Sequence, residues 1–295
     1  MTIDPDRRIK ATSESKGKRE PAEDLENTGL KKTHKPEGGL IEAGPFKGLP
    51  LPLQKKDHTS LLPYVGCNEA GQKATLEALA THPSPIDPER RVHLGFSVWF
   101  NLDLMAVTKP SYGILCDFDN KIMDIYGGIG ECLVKSSNPR EFARYFEMFL
   151  NENCQQLFEL PPTEIPKLFD IHRELTRPGS WIASEASFQV IKNLSQRGHL
   201  LFLNLDITDK DSFLQIAEWL HHNQLELDTL YTSNIIDWLK DELQQQAYIL
   251  NLKTVSSPHT RFIQAYAPVM HRRGPKQEPT QHVTLGTDNI RLPPK

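Results

Sequence analysis

Between about residue 90 and residue 270, apolar and polar positions alternate in blocks whose period changes from one block to the next. Val92-His93-Leu94-Gly95-Phe96 and Tyr112-Gly113-Ile114-Leu115-Cys116-Asp117 are short apolar runs bounded by charge, the pattern of buried strands. Asn138-Pro139 supplies a cap and first turn for a helix carrying Phe142, Phe146, Phe149 and Leu150 on one face. Ser184 opens another helix, with Phe188, Ile191 and Leu194 facing one way and Gly198 closing it. Residues 200 to 207 read as a strand, Thr208 and Asp211 as a capping box, and Phe213, Ile216, Ala217 and Leu220 as a helix face. A strand over 227 to 232 precedes a helix lined by Ile236, Leu239 and Leu243. Residues 248 to 254 and 261 to 267 read as two adjacent strands with no helix between them. This order predicts a three-layer α/β domain with a mainly parallel sheet and an antiparallel strand near the end.

The ends differ from this middle. Of 295 residues, the first 43 mix charge, Pro, Gly and Ser with hardly an aromatic side chain, so they cannot bury enough apolar surface to offset ordering entropy. The division expected is a disordered tail over 1 to 43, an extended arm and an N-terminal helix over 44 to 89, the domain over 90 to 270, and a second disordered tail over 271 to 295. The arm interleaves Phe46, Leu49, Leu51 and Leu53 with proline. An extended apolar segment of that kind suits a protein partner gripped through residues 44 to 53.

Composition narrows the function classes. The net charge is -4, with 34 basic residues scattered among 38 acidic ones, so no nucleic acid is expected as a partner. Cys67, Cys116, Cys132 and Cys154 never approach C-x-x-C spacing, which leaves them as reduced thiols. No apolar run reaches the roughly 18 residues of a membrane span, and the first residues lack a secretory signal. The protein is expected to be cytoplasmic at synthesis. That expectation is compatible with delivery to a host cell by a specialised secretion system.

Open α/β sheets bind ligands beyond the carboxyl ends of their strands, so the residues after each strand carry the candidate chemistry. Those are Gly95 and Asn101 after the first strand, Asp117 after the second, Asp206 after the third, and Ser233 and Asn234 after the fourth. Asp117 follows Gly95 by about twenty residues, the separation at which an acidic side chain meets ribose hydroxyls; it could equally cap the next helix. A pyrophosphate site uses three glycines in its loop, and only Gly95 is present, which disfavours NAD and FAD. Asp117-x-Asp119 also fits a haloacid-dehalogenase-type phosphatase, but Asn120 and the lack of a later Asp pair depart from that motif. His221 and His222 are adjacent on a helix and point apart, which is unsuited to a shared metal. Glu185, opening its helix, is the candidate acid or base, against the simpler role of a charge on the helix dipole.

Gly95 through Asn101, Gly113 through Asn120, Trp181-Ile182-Ala183-Ser184-Glu185-Ala186-Ser187-Phe188 and Leu230-Tyr231-Thr232-Ser233-Asn234 together resemble a largely uncharacterised bacterial family. The resemblance implies a Rossmann-like fold similar to class I S-adenosylmethionine-dependent methyltransferases. It implies S-adenosylmethionine as cofactor. Ser97, Trp99 and Phe100 depart from the pattern at the cofactor loop, so the chain reads as methyltransferase-like with an altered loop. The alternative is a non-catalytic interaction protein, an effector or regulator using the same scaffold. The two readings part at Trp99 and Phe100, which would fill the nucleoside pocket in the second.

Overall fold

The computed structural model describes residues 40–50, 63–239, 241–266 and 279–286. Six strands form one sheet among them: β1 (Arg91–Phe96), β2 (Tyr112–Asp117), β3 (Leu200–Asn204), β4 (Glu226–Ser233), β5 (Arg261–Tyr266) and β6 (Thr280–Leu285), in the order β3-β2-β1-β4-β5-β6. Every neighbouring pair is parallel except β5 with β6, which is antiparallel. This is the expected three-layer Rossmann-like arrangement, a mainly parallel sheet with an antiparallel strand at the end.

Helices cover both faces, so the central strands are buried on both sides and read as nearly continuous apolar runs. Val92, Leu94 and Phe96 of β1 and Ile114 and Cys116 of β2 point to one side. There they meet α6 (Lys210–His222) and α7 (Glu242–Val255) through Phe213, Ile216, Tyr248 and Leu252. On the other side lie α2 (Trp99–Thr108), α3 (Asn120–Lys135), α4 (Pro139–Glu152) and α5 (Glu185–Gln196), packed through Leu102, Ile125, Phe142 and Phe188. α1 (Gln72–Thr81) completes this layer over β4 and β5, with Leu76 and Leu79 beside Phe100, Tyr231 and Ile263.

Local chemistry sets the helix starts. Asn138 accepts the Glu141 N–H at 3.0 Å, and Ser184 accepts the Ser187 N–H at 3.1 Å, as expected of both caps. At α6 the cap is Asp209, which accepts the Asp211 N–H, while the Thr208 hydroxyl donates to Asp206 instead. The capping box expected at Thr208 and Asp211 is therefore not formed.

Two elements differ from the pattern read off the chain. Residues 248 to 254, expected as a strand, lie inside α7, where Tyr248, Asn251, Leu252 and Val255 are buried at i, i+3, i+4 and i+7. The Asp241 carboxylate accepts the Gln244 N–H and starts that helix. Ile236 and Leu239, expected in a helix with Leu243, fall at a short 3₁₀ turn, Ile235–Trp238, that precedes α7. The antiparallel partner of β5 is instead β6, within the segment expected as a disordered tail. Its Gln281 and Val283 pack inward, which a polar-looking sequence conceals. The rest of that tail, and nearly all of the tail over 1 to 43, lie outside the described residues.

The arm is folded back rather than extended. Leu40 and Pro50 form an antiparallel bridge, and the Ile41 N–H donates to Leu49 O at 2.8 Å. Phe46 stacks on Trp219 with ring centroids 5.5 Å apart and meets Tyr112 edge-on, and Leu49 is fully buried. Leu51 and Leu53 lie outside the described residues. Phe46→Ala should therefore destabilise the domain by about 3 kcal/mol in urea denaturation, whereas Val134→Ala, at a side chain 77 % exposed, should change stability by less than about 0.5 kcal/mol. Equal stabilities for Phe46→Ala and the parent would show that the arm does not belong to the core.

Candidate ligand site at the sheet edge

The chain runs outward from β1 through β2 to β3, then returns to the other side of β1 with β4, so β1 and β4 flank a topological switch point. A cavity of about 540 Å³ opens there, at the carboxyl ends of the strands. Phe96 and Ser97 border it after β1, Asp117 to Asp119 after β2, Asp206 to Thr208 after β3, and Ser233 to Ile235 after β4. Four of the residues expected from the sequence, Asp117, Asp206, Ser233 and Asn234, are brought together in it.

Asp117 is the most informative of them. The helix after β2 is capped by Asp119, which accepts the Lys121 N–H at 2.9 Å. Asp117 itself accepts the Asp119 N–H at 3.0 Å. Its carboxylate is thus held by the turn without serving as the helix cap. Burial pushes its pKa up to about 6, against the lowering effect of its backbone hydrogen bonds. Asp206 likewise holds its turn, accepting the Thr208 N–H at 2.9 Å and the Thr208 hydroxyl at 2.7 Å.

Gly95 and Asn101 have another task and do not line the cavity. A Cβ at position 95 would lie 1.7 Å from Asn101 Oδ1, so the glycine is required by the Asn101 side chain rather than by a cofactor. Asn101 is fully buried; its Nδ2 donates to Phe96 O at 2.8 Å and Ser97 O at 2.6 Å. Its Oδ1 therefore accepts from His93 Nε2 at 3.0 Å, and His93 Nδ1 accepts from the Thr229 hydroxyl at 2.7 Å. Burial pushes the His93 pKa down to about 4, so the ring is neutral with the proton on Nε2. This network clamps the turn that carries Ser97, whose φ of 71° is left-handed.

Trp99 and Phe100 leave the cavity open. Trp99 packs among Phe142, Phe146, Phe169 and Trp181 and donates from Nε1 to Glu174 at 2.7 Å. Phe100 meets Tyr231 edge-on, and neither residue lines the cavity. Glu185 is exposed on α5, accepts from Gln189 Nε2 at 2.6 Å, and is also absent from the cavity wall. Its position is that of a favourable charge in the first helical turn.

Sequence reading missed a second layer of polar groups. Buried Glu69 accepts from the Tyr231 hydroxyl at 2.9 Å, from Gln281 Nε2 at 2.8 Å and from the Ser233 hydroxyl. It joins the segment before α1 to the ends of β4 and β6, and nothing in its neighbours along the chain marks it. Cys67 lies 3.6 Å from the Tyr231 hydroxyl. Burial, with a smaller contribution from Glu69, pushes its pKa up to about 12, which leaves a neutral thiol and no thiolate nucleophile. Among the described residues there is no group of three or more His, Cys, Asp or Glu placed to hold a metal, and no helix long and apolar enough to cross a membrane.

The construction of the site can be tested in three ways. Gly95→Ala should cost about 1 to 3 kcal/mol of stability by driving a methyl group into the Asn101 amide, and Asn101→Ala should recover part of that loss in the double variant. A strictly additive cycle by urea denaturation would remove the contact. Asp117 has its native pKa raised, so its contribution to stability is full below about pH 3.8 and lost as the pH rises through about 6. Asp117→Asn should therefore stabilise the ligand-free protein at pH 8, by on the order of 1 to 2 kcal/mol, and leave it unchanged at pH 4. His93 has the opposite sign. Its native pKa is lowered, so its contribution is full above about pH 6.5 and is lost as the pH falls toward 4. Denaturation across that window should show a decline that is smaller in His93→Gln.

No curated protein matches the chain in sequence. Among solved structures, the rRNA methyltransferase aviRa from Streptomyces viridochromogenes is similar over 74 % of this chain and 84 % of its own, at 12 % identity and a TM-score of 0.38. A family model matches residues 64–164 and 151–260, which together take in β1 through to the turn before β5 and every residue of the cavity wall except Pro63. The chain belongs to that family, described as a domain of unknown function (DUF7790).

Proposed function

We propose that the cavity binds S-adenosylmethionine or a closely related nucleoside and that the protein is a methyltransferase-like enzyme or binder of that cofactor. The observation that carries this is Asp117, a carboxylate at the end of β2 that borders the switch-point cavity while Asp119 does the helix capping. Such a carboxylate accepts hydrogen bonds from both hydroxyls of a ribose. Phe96, Ile122 and Ile207 supply apolar wall for a purine, and Ser233 and Asn234 supply polar atoms to the same cavity. None of the described residues in the wall is Lys, Arg or His, a donor set that suits a nucleoside without phosphates. When bound, S-adenosylmethionine supplies an electrophilic methyl group. The residues of this chain bind and orient it.

The positions of Trp99 and Phe100 favour this reading over a filled, purely structural pocket. A partner grip through residues 44 to 53 would have to use side chains other than Phe46 and Leu49, which are spent on the core.

Calorimetric titration of S-adenosylhomocysteine should give saturable binding, and Asp117→Asn should weaken it by about 1.5 to 3 kcal/mol. Since the same substitution is expected to stabilise the free protein at pH 8, loss of affinity cannot be attributed to unfolding. Unchanged affinity in folded Asp117→Asn removes the ribose role, and no binding by the parent protein removes the proposed function.

A further inference from the structure

Large aromatic side chains gathered at one exposed site mark a ligand or partner contact. Among the described residues three aromatic side chains are exposed, Tyr64 at 63 %, Phe118 at 48 % and Trp238 at 68 %, and all three border the cavity at the switch point. They come from separate parts of the chain: Tyr64 precedes β1, Phe118 follows β2, and Trp238 ends the turn after β4. The other tryptophans, Trp99, Trp181 and Trp219, are buried. An aromatic face attracts a cation through the negative charge of its π-surface, most strongly for tryptophan. Asp117 contributes a carboxylate to the same cavity, and its described wall contains no basic side chain that would compete for the aromatic faces.

From this juxtaposition we propose that the mouth of the cavity receives a second ligand, the substrate, and that the group held there is an organic cation of the alkylammonium type. The aromatic faces of Trp238 and Tyr64 hold its apolar surface, and the acidic interior favours its charge. The proposal rests on the nucleoside reading only in calling this ligand the second one. A nucleic-acid substrate is the competing occupant, because bases also stack on exposed aromatics; its phosphates are the part that the carboxylate-lined wall does not suit.

Trp238 provides the readout, being the exposed tryptophan among three buried ones. The full chain is titrated with choline and with its neutral isostere 3,3-dimethylbutan-1-ol, each with and without saturating S-adenosylhomocysteine, while tryptophan emission is followed. Choline should change the emission saturably and bind about tenfold more tightly than the neutral isostere, with S-adenosylhomocysteine present. Trp238→Ala should abolish choline binding, read by calorimetry, and leave S-adenosylhomocysteine affinity within about twofold. Equal binding of the neutral isostere, displacement of choline by S-adenosylhomocysteine, or tighter binding of a short single-stranded oligonucleotide would each overturn the proposal. Choline binding in a protein that ignores S-adenosylhomocysteine would uphold the cation seat and refute the nucleoside reading alone.

Discussion

The entry of the Asn101 amide into the space that a side chain at position 95 would occupy governs the site. β1 must end, turn through Ser97 in a left-handed conformation and start α2 within a few residues. Phe96 O and Ser97 O are the carbonyls at that turn. Asn101 supplies the donors for both and is in turn held by neutral His93 and Thr229. A buried polar network is favourable only when each member is satisfied, and these members are. Tyr126 adds a further donor to Ser97 O from α3.

The same turn decides where the next two large side chains go. Successive helical residues are about 100° apart, so Trp99 and Phe100 cannot face the same neighbours. Trp99 enters the aromatic cluster between α2, α4 and α5, and Phe100 enters the smaller core beneath α1. Below Trp99, fully buried Asp103 accepts from Arg177 at 2.5 Å and from the Trp181 N–H at 2.8 Å, tying α2 to the segment before α5. Burial pushes Asp103 up to about 7 even with the Arg177 guanidinium beside it. Its role is one of geometry: it fixes the turn before α5 against α2.

What the chain disclosed in advance depended on whether the signal was local. β1, β2, α4 and α5 were legible because their periods and caps lie in consecutive residues. α2 was not, since Trp99 through Ala106 are buried almost all round and show no amphipathic stripe. Residues 248 to 254 alternate well enough for a strand, and only the upstream cap at Asp241 and packing on α6 select the helix. β6 was hidden because its inward side chains include Gln281, which is buried against Glu69 rather than in an apolar core. The site followed the same rule. Asp117, Asp206, Ser233 and Asn234 were recoverable from strand ends, whereas Gly95 and Asn101 proved to be framework. Tyr64, Glu69 and Trp238 reach the cavity or its border from segments with no motif around them.

The two aspartates after β2 show why one motif can hold both a structural and a functional residue. A helix start needs one side-chain acceptor, and Asp119 fills that need from the N-cap position, where backbone amides stabilise its charge. Asp117 sits two residues earlier on a strand end, where burial raises its pKa toward neutrality. Burial there costs the free protein stability near neutral pH, against which the backbone hydrogen bonds of the turn act.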